Sequence, residues 1–274
     1  MPSPRVPIVE TVSKAWIDAF RAIRAMPLIA VTALAIHFVI GVGVFFATMA
    51  LLLDPGRTVA EWISSPAWFA FGMFSAALQI ILLAPLMIAM HRYVIRGDIA
   101  RHYPLNPLRP SYTRYVGMAL AFYLAYRSTD LISIMTPPAR TLPFILNLAI
   151  GVTTFLLMIG VIIVFLRRIA LFPAIAANTS NNTWQEITRA DAGNVVRIFV
   201  VLAGAILPAV IIGVLLHARL PEPNSAGALV LISAMSLLQI PTLCAVAAAT
   251  ARIYLAIGRV TAPPTLLPGD AAVA

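Results

Sequence analysis

The chain has 274 residues; 61% are hydrophobic, 11% are charged, and the formal net charge is +9. A charged share this far below the roughly 25% of soluble domains excludes an ordinary soluble fold. The one cysteine, Cys244, excludes an intrachain disulfide and a thiolate metal framework.

Residues 7–25 read as an amphipathic interfacial helix. Ile8, Val12, Ala15, Trp16, Ala19, Phe20 and Ile23 recur at helical spacing, with Lys14, Arg21 and Arg24 on the flanks. Trp16 suits the headgroup level. The same pattern also fits a short helix docked on a bundle. Residues 28–53 follow as a first apolar span, too long for the 7–15-residue core of a signal peptide. A second span covers 67–90. Both are free of Asp, Glu, Lys and Arg, except that Asp54 follows the first directly, and a helix of about 20 residues crosses a bilayer core. Pro104, Pro107 and Pro110 then break any long helix, so the connection reads as a structured loop.

Residues 115–135 form the weakest span. Seven strongly apolar residues favour its insertion by about 2–4 kcal/mol, whereas Arg127 and Asp130 at mid-bilayer cost about 5–7 kcal/mol. The span therefore places those charges near an interface or against neighbouring helices. Arg127 and Asp130 are three apart and share a face, with Tyr123 and Tyr126 each four residues before one of them. The four make a candidate intramembrane polar patch. The plainer reading is a satisfied ion pair that holds the bundle.

Spans at 142–166, 198–216 and 226–251 are again uncharged. Between the first two of these, residues 182–193 read as a second interfacial helix, with Thr183 and Glu186 fitting a capping box. Residues 260–274, rich in Pro and Ala, read as a disordered tail. The expected fold is all-α: a polytopic membrane bundle of six transmembrane helices with amphipathic interfacial helices.

Basic residues decide the orientation. Fifteen of them, from Arg5 to Arg259, fall in the N-terminal stretch, alternate connections and the tail; Arg57, Arg140 and Arg219 stand alone in the others. This alternation requires the third span, and the basic side is cytoplasmic. Both termini are then inside. Loop placement and anionic lipid account for the positive charge, so no nucleic-acid partner is expected.

An internal repeat of three helical hairpins is also visible. Gln79 is followed by Arg92 thirteen residues later, and Gln239 by Arg252 at the same distance; Trp16 to Arg21 echoes Trp184 to Arg189. Parallel repeats of this kind occur in transporters. Gln79 and Gln239 are candidate helix–helix polar contacts. Pro85, Pro208 and Pro241 open kinks within spans. The four histidines show neither a paired-His zinc spacing nor two haem ligands at one depth, and no Walker lysine is present. No cofactor and no enzymatic activity are expected.

The segment after the fourth span is the most distinctive. It reads Arg168-Ile-Ala-Leu171-Phe172-Pro173-Ala174, then Trp184, Thr188-Arg189, Gly193-Asn194 and Arg197-Ile198-Phe199. It resembles bacterial six-helix inner-membrane proteins that include the membrane domain of some glycerophosphoryl diester phosphodiesterases and the YciC-like proteins. That pattern has an Arg, a Leu-x-Pro-Ala turn, a helix with a Trp, and Thr-Arg-Gly-Asn before the fifth span. Here residues 190–192 separate Arg189 from Gly193. The resemblance implies a bacterial cytoplasmic-membrane module tied to envelope or lipid processes. Pro173 is placed to end the fourth span, and Arg167, Arg168, Trp184 and Arg189 are candidate lipid-headgroup contacts. The expected function is the handling or organising of envelope lipid or another amphiphile. Two alternatives stand beside it: an assembly subunit with a protein partner in a membrane complex, and a small-solute permease using Arg127 and Asp130.

Overall fold

The computed structural model describes residues 6–52, 65–135, 143–178, 193–218 and 226–261. The second interfacial helix expected at 182–193, with Trp184 and Arg189, lies outside the described residues except for Gly193. So do the side chain of Asp130 and the tail beyond Thr261.

The described residues form an all-α bundle. Its elements are α1 (Ile8–Ala25), α2 (Pro27–Leu52), α3 (Pro66–Arg96), α4 (Pro110–Met135), α5 (Phe144–Leu166), α6 (Leu171–Ala176), α7 (Val195–His217) and α8 (Ala226–Thr261). Five of them, α2, α3, α5, α7 and α8, are long and apolar enough to cross a membrane. The protein is a polytopic α-helical membrane protein. Helix α4 has 26 residues, about 39 Å at 1.5 Å per residue, but its polar side chains keep it out of that set.

Local chemistry sets several helix ends. Ser65 caps α3 by accepting from Trp68 N at 3.1 Å, and Pro66 occupies the first turn, where its missing N–H costs nothing. Gly97 stops α3 with φ +72°, a left-handed conformation that glycine adopts without strain, and its N–H returns to Tyr93 O at 2.9 Å. Inside α3, Pro85 has no N–H to offer the Ile81 carbonyl. Tyr112 Oη supplies the missing donor at 2.7 Å, and Tyr103 Oη donates to the next carbonyl, Leu82 O, at 2.5 Å. Burial, with Tyr112 beside it, pushes the Tyr103 phenol up, so it stays protonated and able to donate.

Helix α8 is the hub, packed on α1, α7, α3, α2 and α6. Its contact with α1 is a seam of small residues. Ala15, Ala19 and Ala22 of α1 and Ala245, Ala248 and Ala249 of α8 are all fully buried. Small side chains let backbones approach closely, which drives association in a bilayer where apolar burial does not. Helix α1 thus docks on the bundle by its alanine face. It keeps Val9 and Phe20 exposed beside Lys14, Arg21 and Arg24, an arrangement that also suits an interface.

Helices α3 and α4 run antiparallel. Tyr123 and Arg127, late in α4, meet Gly72 and Phe69, early in α3, whereas Tyr115 meets His91. One end of the bundle gathers the arginines. There Arg92 Nε donates to Ala176 O at 2.8 Å, Arg96 donates to Ala177 O, and Arg197 Nη1 donates to Val6 O at 3.2 Å.

Helix α5 closes differently from expectation. Helix α5 ends at Leu166, and Pro173 sits inside the short helix α6 rather than ending the span. Pro173 is in the first turn of α6, where its missing N–H breaks no helical bond. Helix α8 also runs past the expected 251 to Thr261.

Candidate functional site

Helices α3, α4, α5 and α8, with α6 beneath them, enclose a cavity of ≈ 490 Å³. Volumes of this order are typical of small-ligand sites. The wall is mainly apolar, with Leu83, Met87, Val161, Ile162 and Leu243 among its residues.

The two ends differ. At the basic end, His91, Tyr115, Ile169, Phe172 and Thr250 close the cavity, and all five are buried. His91 Nε2 and Tyr115 Oη lie 3.2 Å apart, and His91 Nδ1 is buried without a hydrogen-bond partner. At the floor the Tyr115 and Phe172 rings meet edge-on at 5.0 Å; on the wall between α4 and α5 the Phe122 and Phe165 rings do the same. At the opposite end stand Gln79, Tyr123, Tyr126 and Gln239. There Tyr126 is 46% exposed and Gln239 is exposed as well, so the cavity is blind at the floor and open above.

Gln79 and Gln239, the candidate helix–helix polar contacts, both line this one cavity, and neither side-chain amide is hydrogen-bonded to a described residue. Each offers two donors and an acceptor to whatever occupies the cavity. No charged side chain lines it among the described residues. The site can therefore take an apolar body with a neutral hydrogen-bonding group, and it gives a buried charge no counter-ion.

The polar patch expected on α4 divides. Tyr123 and Tyr126 face the cavity. Arg127 turns to α3: its guanidinium lies 5.4 Å above the Phe69 ring, and a Cβ on Gly72 would stand 3.3 Å from its Nη2. Gly72 thus makes room for the arginine, and Tyr123 Oη donates to the Gly72 carbonyl at 3.4 Å.

Among the candidate headgroup contacts, Arg167 and Arg168 are exposed in the link between α5 and α6. Asn194 and Arg197 clamp the backbone of Val6: its N–H donates to Asn194 Oδ1 at 3.3 Å, and Arg197 takes its carbonyl. Arg92 and Arg252, each thirteen residues after a glutamine, do parallel work. Arg92 ties α6 to the bundle, and Arg252 ties α1 to it through Asp18.

Sequence reasoning missed the cavity. Its only linear trace is the matched pair Gln79 and Gln239. It also missed Asp18 and Arg252 as partners, because they are 234 residues apart. Among the described residues, no group of three or more His, Cys, Asp or Glu could hold a metal ion. No protein family, curated protein or solved structure matches the chain.

Proposed function

We propose that this protein is a non-enzymatic, six-span component of a bacterial cytoplasmic membrane that holds an envelope lipid, or another amphiphile, between its helices. The observation that carries this reading is the blind, uncharged cavity whose open end holds two glutamine amides with no hydrogen bond to a described residue. Exposed Arg167 and Arg168, and the resemblance of their segment to envelope-membrane modules, support the lipid assignment. The antiparallel run of α4 against α3 supports α4 as the sixth span, and the positive-inside rule would put the arginine-rich end in the cytoplasm.

The test is extraction of the full chain into native-lipid nanodiscs, followed by mass spectrometry of what co-purifies. An enriched lipid or amphiphile, lost in the Gln79→Leu/Gln239→Leu double variant, is the expected result. A stoichiometric protein partner with no enriched small molecule favours the assembly-subunit reading. That second reading draws on α5, in which Leu166 is the one buried residue.

Topology has its own test. Cys244 is buried, so its background reactivity is low. Arg57→Cys, Arg140→Cys and Arg219→Cys should label from outside with an impermeant maleimide, and Arg101→Cys and Arg168→Cys should not. Equal labelling of Arg101→Cys and Arg140→Cys from outside would sink the six-span reading.

A further inference from the structure

Two side chains, Phe122 of α4 and Val161 of α5, line two spaces at once. One is the cavity described above. The other is a groove of ≈ 510 Å³ between α4 and α5, whose walls include Ala125, Leu156, Leu157, Gly160 and Val164. Leu156, Leu157 and Val164 are exposed on the outer face of α5, the surface that lipid covers in a spanning helix. Phe122 and Val161 are therefore a thin partition between the membrane side and the cavity.

The partition is less buried than the floor. Phe122 is half-buried, and its ring rests edge-on against Phe165 at 5.0 Å. Beside Val161, no atom lies within 4 Å of where a Cβ on Gly160 would stand. The floor, by contrast, is shut by buried His91, Tyr115, Phe172 and Thr250, which blocks approach from the basic end.

We propose that the α4–α5 groove is a lateral portal, through which the hydrocarbon tail of a bilayer lipid passes into the cavity, with Phe122 and Val161 as its gate. The proposal rests on the reading of the cavity as an amphiphile site. A tail suits the groove because no charged or amide side chain lines it, so passage strips no ionic or amide hydration. Its polar end would then meet Gln79, Tyr123 and Gln239 inside.

The test uses the full chain in phosphatidylethanolamine–phosphatidylglycerol nanodiscs. A phosphatidylglycerol with a diazirine on its acyl chain is delivered after reconstitution. Flash irradiation at increasing times, then peptide mapping, gives the rate at which label reaches the floor segment, residues 169–172. Wild type should label the groove segment, 156–164, first and the floor later. Gly160→Phe adds a ring to the groove from a position where its Cβ meets no atom, and floor labelling should be lost. Gly151→Phe places the same ring on the same helix, its Cβ also in open space but outside the groove. It should label the floor as wild type does, which separates blockage from misfolding. Phe122→Ala should speed floor labelling. An unchanged floor rate in Gly160→Phe would overturn the portal and leave the cavity reading standing. No floor label in wild type at any time would overturn the cavity reading and the portal together.

Discussion

Asp18 of α1 and Arg252 of α8 are joined through a single carboxylate oxygen. Asp18 Oδ2 accepts from Arg252 Nε at 2.7 Å and lies 2.6 Å from Nη2. The Asp18 side chain is 9% exposed and the Arg252 side chain 30%. Asp18→Asn should therefore cost about 2 kcal/mol, because it removes the counter-charge from a largely covered arginine. Thermal unfolding in detergent measures this. The exchange Asp18→Arg/Arg252→Asp should recover part of the loss, and no difference between single and double variants would refute a direct pair.

Tyr112 and Pro85 form a compensating couple, since the tyrosine bonds the carbonyl that the proline leaves open. Tyr112→Phe should destabilise by about 1 kcal/mol. In a Pro85→Ala background, the restored backbone N–H satisfies Ile81 O, and the same change should cost less. A double-mutant cycle checks this, and strict additivity would reject the coupling.

Arg92 holds the last turn of α6, which floors the cavity. Arg92→Leu should speed hydrogen exchange across residues 171–177. Arg92→Lys should fall between, because an ammonium on a flexible stem replaces a planar fork of donors. Equal exchange in all three proteins would show that α6 is held by packing alone.

The two cavity glutamines should behave as ligand-facing groups rather than structural ones. Gln79→Leu and Gln239→Leu break no hydrogen bond to a described residue. Each should change stability by no more than about 0.5 kcal/mol. A co-purified amphiphile should nevertheless fall in both. A large loss of stability in either variant would assign that glutamine to the scaffold.

The class and the apolar helices are legible in the sequence, because an uncharged run of twenty or more residues is rare outside a bilayer. Helix ends are less legible. The segment around Pro173 reads as a stop, yet a proline in a first turn starts a helix as readily as it ends one. The alanines of α1 read as one face of an interfacial helix. Their role is contact with α8, which small residues at helical spacing do not by themselves distinguish. The division of the α4 patch is illegible for a related reason. Tyr126 and Arg127 are adjacent in sequence, and on a helix neighbours point about 100° apart. Matched spacing marks Gln79 and Gln239 as a pair, but spacing cannot reveal that a cavity stands between them.

The α1–α8 seam has a consequence for how the molecule is made. Asp18 leaves the ribosome 234 residues before Arg252. At common synthesis rates that is an interval of about 10–50 s. Throughout it α1 has no α8 to dock against, and its carboxylate has no arginine. The exposed apolar edge of Val9 and Phe20, flanked by cations, gives the nascent helix a resting place on the membrane surface. Arrival of the last span then lifts Asp18 out of water and latches the earliest described helix to the latest. The bundle is thus completed by its final span, and a chain stalled before Arg252 would carry an undocked α1 for quality-control proteases to find.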